Sequence, residues 1–493
     1  MRSISRIVLA LIIVVGIALL STSCIAETKH ITTQAGEEIK RIVMPSAEDA
    51  QKTFKSRGTP KPVTMVNDEG GAEEPFDPSL AGNTDIVSIG INYRVALSKD
   101  RSESPIRLPW GRTPKVVITS LIPKTIDNKQ KVLSMHFSME PSRIYDLDDN
   151  RYAEFVIENP KKDFDIRIEA KIKLLRYDLS SALHAGNATP LDGASLGSYL
   201  KGEQHIEKDH PIIKEIAQQI KGEDEIDTVR KIYDFVLQNM DYDHAKAKEE
   251  NLKAYGAAMA AKLKKGVCVE YSDLFVALCR AKGIPARYVG GITTEGTDAT
   301  KGHAWSEVYL KNYGWVPFDA TWGDTKAASF DRLRPLYIYL TDIRNDEVLN
   351  YSDIYGCEYW GVPVKVEYSA LIDSSRAKYL KGLLTSINEK KTELAQMKKQ
   401  IDAAYSEIES SKEELDQLQR SIKQARSDLQ SASNIGPDEY RSLVSRYNSL
   451  VSAYNENASA YNKKVSAYQS IRSSYEAKSK EINALVNTYN QLN

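Results

Sequence analysis

The chain has 493 residues, 42% hydrophobic and 27% charged, which suits two to four folded units and excludes wholesale disorder. Sixty-six Lys+Arg stand against 67 Asp+Glu, a formal charge of −1 that removes the electrostatic case for a nucleic-acid partner. Four cysteines, Cys24, Cys268, Cys279 and Cys357, are too few for a disulfide framework and lack the paired spacing of a zinc site; no pattern calls for a metal or a cofactor.

Residues 1–26 read as a signal peptide or an N-terminal membrane anchor. Arg2 and Arg6 precede an apolar run of 14 residues, Ile7 to Leu20, the length of a signal-peptide core and short of the roughly 20 needed to span a bilayer. Cys24 follows small residues, as a lipidated cysteine would, although Leu20 sits one place too early for that motif. The expected location is extracytoplasmic, secreted or tethered to the cell membrane by the N-terminus. Residues 27–84, with turn-rich Asn67-Asp68-Glu69-Gly70-Gly71, read as a flexible spacer.

Residues 85–180 read as a β-rich domain. Val87, Ile89, Ile91, Tyr93, Val95 and Leu97 alternate with smaller or polar neighbours, and the same period returns at Phe164, Ile166, Ile168, Ala170, Ile172 and Leu174. Shorter strands are predicted at 115–120, 131–138 and 151–158. Strands with one wet face predict an antiparallel sheet or small sandwich. The acidic stretch 146–150 lacks the Gly and distal Glu of a calcium loop and reads as a hairpin turn.

Residues 195–365 read as the chemical core. The apolar period becomes helical at Ile212, Ile213, Ile216 and Ile220 after Pro211, and again from Ile226 to Leu237. Gly266-Val267-Cys268-Val269-Glu270-Tyr271 then leads into an apolar helix closed by Gly283-Ile284-Pro285. Cys268 at or just before that helix's N-terminus would have its thiolate favoured by unpaired N–H groups and the helix dipole. His303 opens a strand-like run and Asp319 closes another, with a turn at Lys311–Gly314 between them. A hairpin would bring the two together, giving a nucleophile, a base and a group that orients the base. Cys279, in the middle of the helix, reads as a buried hydrophobe and Cys357 is unplaced. A Cys279–Cys357 disulfide is allowed by export but supported by no spacing rule.

These blocks, with Gly283-Ile284-Pro285-Ala286-Arg287, His303-Ala304-Trp305-Ser306-Glu307-Val308 and Gly314-Trp315-Val316-Pro317-Phe318-Asp319-Ala320-Thr321, resemble the transglutaminase-like superfamily over about residues 205–325. The resemblance implies a papain-like α+β core, with a helix carrying the nucleophile packed on an antiparallel sheet. It implies catalytic roles for Cys268 as nucleophile, His303 as base and acid, and Asp319 as orienting group. Ala320 stands where the family often has Pro. No Trp lies between Trp110 and Trp305, where animal members place one that helps hold the oxyanion. One oxyanion donor is expected to be the Cys268 backbone N–H; the sequence names no second one. Trp305, Trp315 and Trp322 read as core, or as a substrate wall.

Residues 369–493 read as a coiled-coil helical hairpin. Ile387, Leu394, Ile401, Ile408, Leu415, Ile422 and Leu429 recur every seven, with Met397, Ala404, Leu418, Ala425 and Ala432 three places on and interruptions at Lys390 and Ser411. After a Gly436-Pro437 break, Tyr440, Tyr447, Tyr454, Tyr461, Tyr468, Tyr475, Ile482 and Tyr489 form a second series. Two antiparallel helices about 70 Å long are expected, with truncation before 369 leaving the core intact and dimerisation through the seam open. Two function classes compete: an exported thiol enzyme acting on peptide or carboxamide bonds of a protein or cell-envelope substrate, and a non-enzymatic surface binding or scaffold module. The intact Cys268, His303 and Asp319 favour the enzyme.

Overall fold

The computed structural model describes residues 76–98, 113–180, 196–249, 252–294, 302–323, 325, 327–350, 352–432 and 436–492, with two-residue strands at 31–32 and 61–62. The signal or anchor at 1–26, and most of the spacer, lie outside the described residues. Among the described residues no helix is long and apolar enough to cross a membrane. The chain divides into two units, Met1–Ser375 and Arg376–Asn493.

The first unit begins with six antiparallel strands: β1 (Thr84–Leu97), β2 (Lys115–Leu121), β3 (Gln130–Phe137), β4 (Arg143–Leu147), β5 (Asn150–Glu158) and β6 (Phe164–Leu175). Four lie where the alternation placed them to within a residue, and β1 starts three residues earlier. The inward set Val87, Ile89, Ile91, Tyr93 and Val95 is buried, against Val116, Ile118 and Phe155 of the facing sheet. The Tyr93 hydroxyl crosses this core and meets Ser120 Oγ at 2.7 Å, so its polar end is satisfied in a dry interior. The acidic stretch 146–150 is a β4–β5 hairpin turn, with Asp148 in the left-handed region at φ 51°.

A four-stranded sheet and its helices follow: α1 (Pro211–Gln219), α2 (Glu225–Asn239), β7 (Asp241–Tyr242), α3 (Gly256–Leu263), β8 (Lys265–Gly266), α4 (Cys268–Ala281), β9 (Ala286–Thr293), β10 (His303–Leu310), β11 (Gly314–Phe318) and β12 (Tyr337–Thr341). The strand order is β11-β10-β9-β12, antiparallel throughout, with α4 packed on β9 and β10 beneath α1, α2 and α3. α4 ends in a left-handed Gly283 at φ +77°, where Ile284 N–H donates to Cys279 O at 3.0 Å, the Schellman closure that glycine permits.

The chain then returns to the sandwich. β13 (Tyr355–Trp360) pairs with β2, and β14 (Val364–Ser374) pairs with β1 along its whole length. The expected boundaries at 365 and 369 differ from this arrangement, because Val364, Val366, Tyr368 and Ala370 alternate with period two and bury one face. A cut before 369 would remove part of a central pairing, so the separable point lies after Ser374. The Cys279–Cys357 bridge that export would allow is not formed: both thiols are free and buried.

The sandwich and the four-stranded sheet share a core and a buried polar joint. Ile292, Ile338 and Leu340 join the sandwich cluster. The Gln130 side chain pairs like a strand with Tyr339, accepting from its N–H at 2.8 Å and donating to its carbonyl at 3.0 Å. Glu307 of β10, 1% exposed, takes two guanidinium bonds from Arg287 and one ammonium bond from Lys129, while Arg287 also reaches Asp149 and Asp342. Burial alone would raise the Glu307 carboxyl, but Lys129 and Arg287 hold it below its usual range.

The second unit consists of α5 (Ser375–Ser431) and α6 (Pro437–Leu492), at 57 and 56 residues about 85 Å long each rather than 70. They run antiparallel. Lys390 Nζ meets Glu481 Oε1 at 2.7 Å, Tyr405 faces Tyr468 with ring centroids 6.1 Å apart, and Lys464 Nζ donates to Ser411 Oγ at 2.9 Å. Both interruptions of the heptad therefore carry a partner across the pair, which fixes its register. Every position of the Ile/Leu series is buried or half-buried. Ile387 and Ile482 are 3% and 4% exposed, so Ile482→Asp should strip helicity from an isolated 376–493 fragment in circular dichroism, because it buries an unpartnered charge.

Candidate active site

Cys268 is the first residue of α4, where the opening N–H groups have no intrahelical acceptor. The turn into it is built from Glu270. This carboxylate is fully buried; Oε2 accepts from Val267 N–H at 3.0 Å, and Oε1 accepts from Lys246 Nζ at 2.5 Å. Val267 has no side-chain acceptor, so only the glutamate half of a capping box exists here. Glu270 can fold back only because residue 266 is glycine: a Cβ there would lie 2.5 Å from Glu270 Cβ. Neither Glu270's fold-back, with valine where a capping box has Ser or Thr, nor Lys246 had a signal in the sequence.

His303 and Asp319 come together because β10 and β11 form the expected hairpin. The turn is Lys311–Tyr313, with Asn312 and Gly314 both at positive φ, and the register pairs Leu310 with Gly314 and Ser306 with Phe318. Asp319 follows the last pair and turns back, so that His303 Nε2 lies 2.8 Å from its Oδ2. The Cys268 sulfur lies close enough to the same imidazole to favour its charged form. All three predicted residues thus meet in one place.

Asp319 is completely buried and fully satisfied. Oδ1 accepts from the N–H groups of Thr321 at 2.9 Å and Trp322 at 3.1 Å; Oδ2 accepts from His303 and from the Tyr337 hydroxyl, each at 2.8 Å. Burial opposes the imidazolium, but the Asp319 carboxylate and the Cys268 sulfur outweigh it, and the His303 pKa is pushed up to about 10. Trp322 stacks on the imidazole at 4.4 Å and 18°, fixing its plane. Of the three tryptophans only Trp322 is both beside the histidine and partly exposed. Trp305 is 1% exposed core, and Trp315 lies under Arg287, which stands 4.2 Å from its ring. Tyr337 and Trp322 gave no sequence signal for these roles, since they come from outside the strands that carry the motif.

A profile of the transglutaminase-like superfamily matches residues 214–320, spanning the nucleophile, the histidine strand and the aspartate. Residues 214–320 are a transglutaminase-like domain. An uncharacterised protein of Haemophilus influenzae is 27% identical over 230 residues, 39% of this chain and 60% of that protein. Human kyphoscoliosis peptidase is 29% identical over 128 residues, 24% of this chain and 19% of the peptidase. The chain therefore spans less than two thirds of the length of either relative. Among solved structures, a protein of Cytophaga hutchinsonii provisionally assigned as a cysteine protease is similar to 59% of this chain over 98% of its own, with 17% identity and a TM-score of 0.37. The α+β class, with antiparallel sheets ahead of a transglutaminase-like core, agrees with the sequence reading.

Proposed function

We propose that this chain is an extracytoplasmic thiol enzyme that cleaves or transfers the acyl groups of peptide or carboxamide bonds through a thioester on Cys268. The observation that carries the reading is the Cys268–His303–Asp319 cluster at the half-buried start of a buried helix. The Cys268 thiolate attacks the carbonyl carbon, and the oxygen that becomes negative is met by the Cys268 backbone N–H. His303, protonated and held by Asp319, gives its proton to the departing amine. Water or a second amine then takes the acyl group, with His303 accepting the proton of the attacking group. Peptidase or amidase chemistry follows from water, crosslinking from an amine.

The substrate is a protein or peptide, cell-envelope material included, reached from a membrane tether or after secretion as the N-terminal segment suggests. The C-terminal helix pair, read as a coiled coil, serves as a spacer or as the seam of a homo-oligomer. Kyphoscoliosis peptidase, similar to this chain over 128 residues, carries peptidase in its name and supports the hydrolytic branch.

Thiol labelling tests the reading. Burial pushes the Cys357 thiol up to about 12 and the Cys279 thiol higher still, whereas Cys268 is half-buried beside an imidazole. Of Cys268, Cys279 and Cys357, iodoacetamide near neutral pH should therefore modify Cys268 alone, stoichiometrically, and peptide-amide cleavage should vanish with it. Equal labelling of the three cysteines, or activity surviving modification of Cys268, would sink the proposal.

A further inference from the structure

Asp319 Oδ2 has two donors, and only one of them belongs to the triad. The Tyr337 hydroxyl lies 2.8 Å from the same oxygen that His303 Nε2 approaches. Tyr337 is 3% exposed, in β12, and its ring is boxed by Trp305 at 5.1 Å, Trp322 at 5.9 Å and His303 at 6.1 Å. The ring is fixed by this packing, not by its hydroxyl. The carboxylate in turn is anchored through Oδ1 by two backbone N–H groups. The hydroxyl is thus needed to hold neither partner in place.

We infer that Tyr337 is a positioning residue that sets the proton affinity of His303 by drawing negative charge from the Asp319 oxygen the imidazole faces. The inference rests on the Cys268–His303–Asp319 reading above. Its chemical sense is that His303 must surrender a proton to the leaving amine. An imidazolium held by an undiluted buried carboxylate is a poor acid, and a donor on the carboxylate weakens that hold. The titratable groups facing the dyad are Cys268 from α4, Tyr337 from β12 and Tyr233 from α2, whose hydroxyl donates to the Asp319 carbonyl at 3.3 Å; Tyr339 lies behind Tyr337, and Trp305 and Trp322 add only uncharged rings.

The test is a ring-nitrogen NMR titration of His303 in the full-length protein, assigned with His303→Ala. The wild-type midpoint is expected near 10. Tyr337→Phe keeps the boxed ring and drops the donor, so the midpoint should rise by on the order of half a pH unit or more. Turnover of a peptide amide should fall several-fold at unchanged KM. A fluorinated tyrosine at 337, a stronger donor of the same shape, should move the midpoint down, and it decides the matter if the Phe variant fails to fold. A midpoint that is unchanged or lower in Tyr337→Phe, or unmoved by fluorination, overturns the inference. Iodoacetamide labelling of Cys268 in the same wild-type preparation separates the two readings. Inert Cys268 with a shifting midpoint sinks the enzyme and leaves the tuning; reactive Cys268 with superimposed midpoints does the reverse.

Discussion

Cys268→Ala and His303→Ala should each lower the rate of amide cleavage on the order of 10⁴-fold or more, while thermal unfolding stays within a few degrees of wild type. The size of the effect follows from the division of labour in the site. Without sulfur there is no thioester, and without imidazole the leaving amine must depart unprotonated. Neither side chain carries the core: Cys268 is half-buried at a helix start, and His303 is held chiefly by Asp319 and the Trp322 stack. Asp319→Asn should be milder than either, because nucleophile and base remain. It should also change the pH profile. His303 is protonated up to about 10 in the folded protein, so the alkaline limb of kcat/KM belongs near there and should move toward the ordinary histidine range in Asp319→Asn. Because the folded pKa lies above the unfolded one, the imidazolium's contribution to stability is complete below about 6.5 and disappears as pH rises through about 10. Activity profiles and urea midpoints across pH check both statements.

The second large effect is on stability. Glu307→Ala should cost about 3–5 kcal/mol in urea unfolding, since it leaves Lys129 and Arg287 as buried cations short of a carboxylate. Glu307 is 1% exposed, and its pKa lies below the usual carboxylate range, so the pairing is lost as pH falls through that lowered value. The wild type should show this loss in acid, and Glu307→Ala should not. Equal acid sensitivity of the two proteins would contradict the assignment.

What could be read from the sequence was local. The alternation in β1 and β6, the Gly283-Ile284-Pro285 stop and the hairpin between His303 and Asp319 are each written in residues adjacent along the chain. The candidate triad was legible because its blocks are short and carry glycine, proline and tryptophan at constrained places. The rest depends on partners distant in sequence. Lys129 finds Glu307, and Arg344 Nε finds the fully buried Asp273 at 2.7 Å, across stretches with no periodic signal. Tyr337 reaches Asp319 only after β12 has been laid beside β9. β14 was misjudged for a different reason: its outward residues run straight into a helix at Ser375, so strand and helix patterns overlap at the boundary.

The late return of β13 and β14 bears on how this protein is made. While the ribosome is still producing the segment with Cys268, His303 and Asp319, β1 lacks its β14 partner and β2 lacks its β13 partner. The nascent chain therefore carries two open strand edges, Val87 waiting for Ser374 and Lys115 for Trp360, for tens of seconds at about 5–20 residues per second. Such edges invite pairing with other chains. A messenger cut short just before Tyr355 would encode every residue of the Cys–His–Asp site and still yield a protein prone to aggregate.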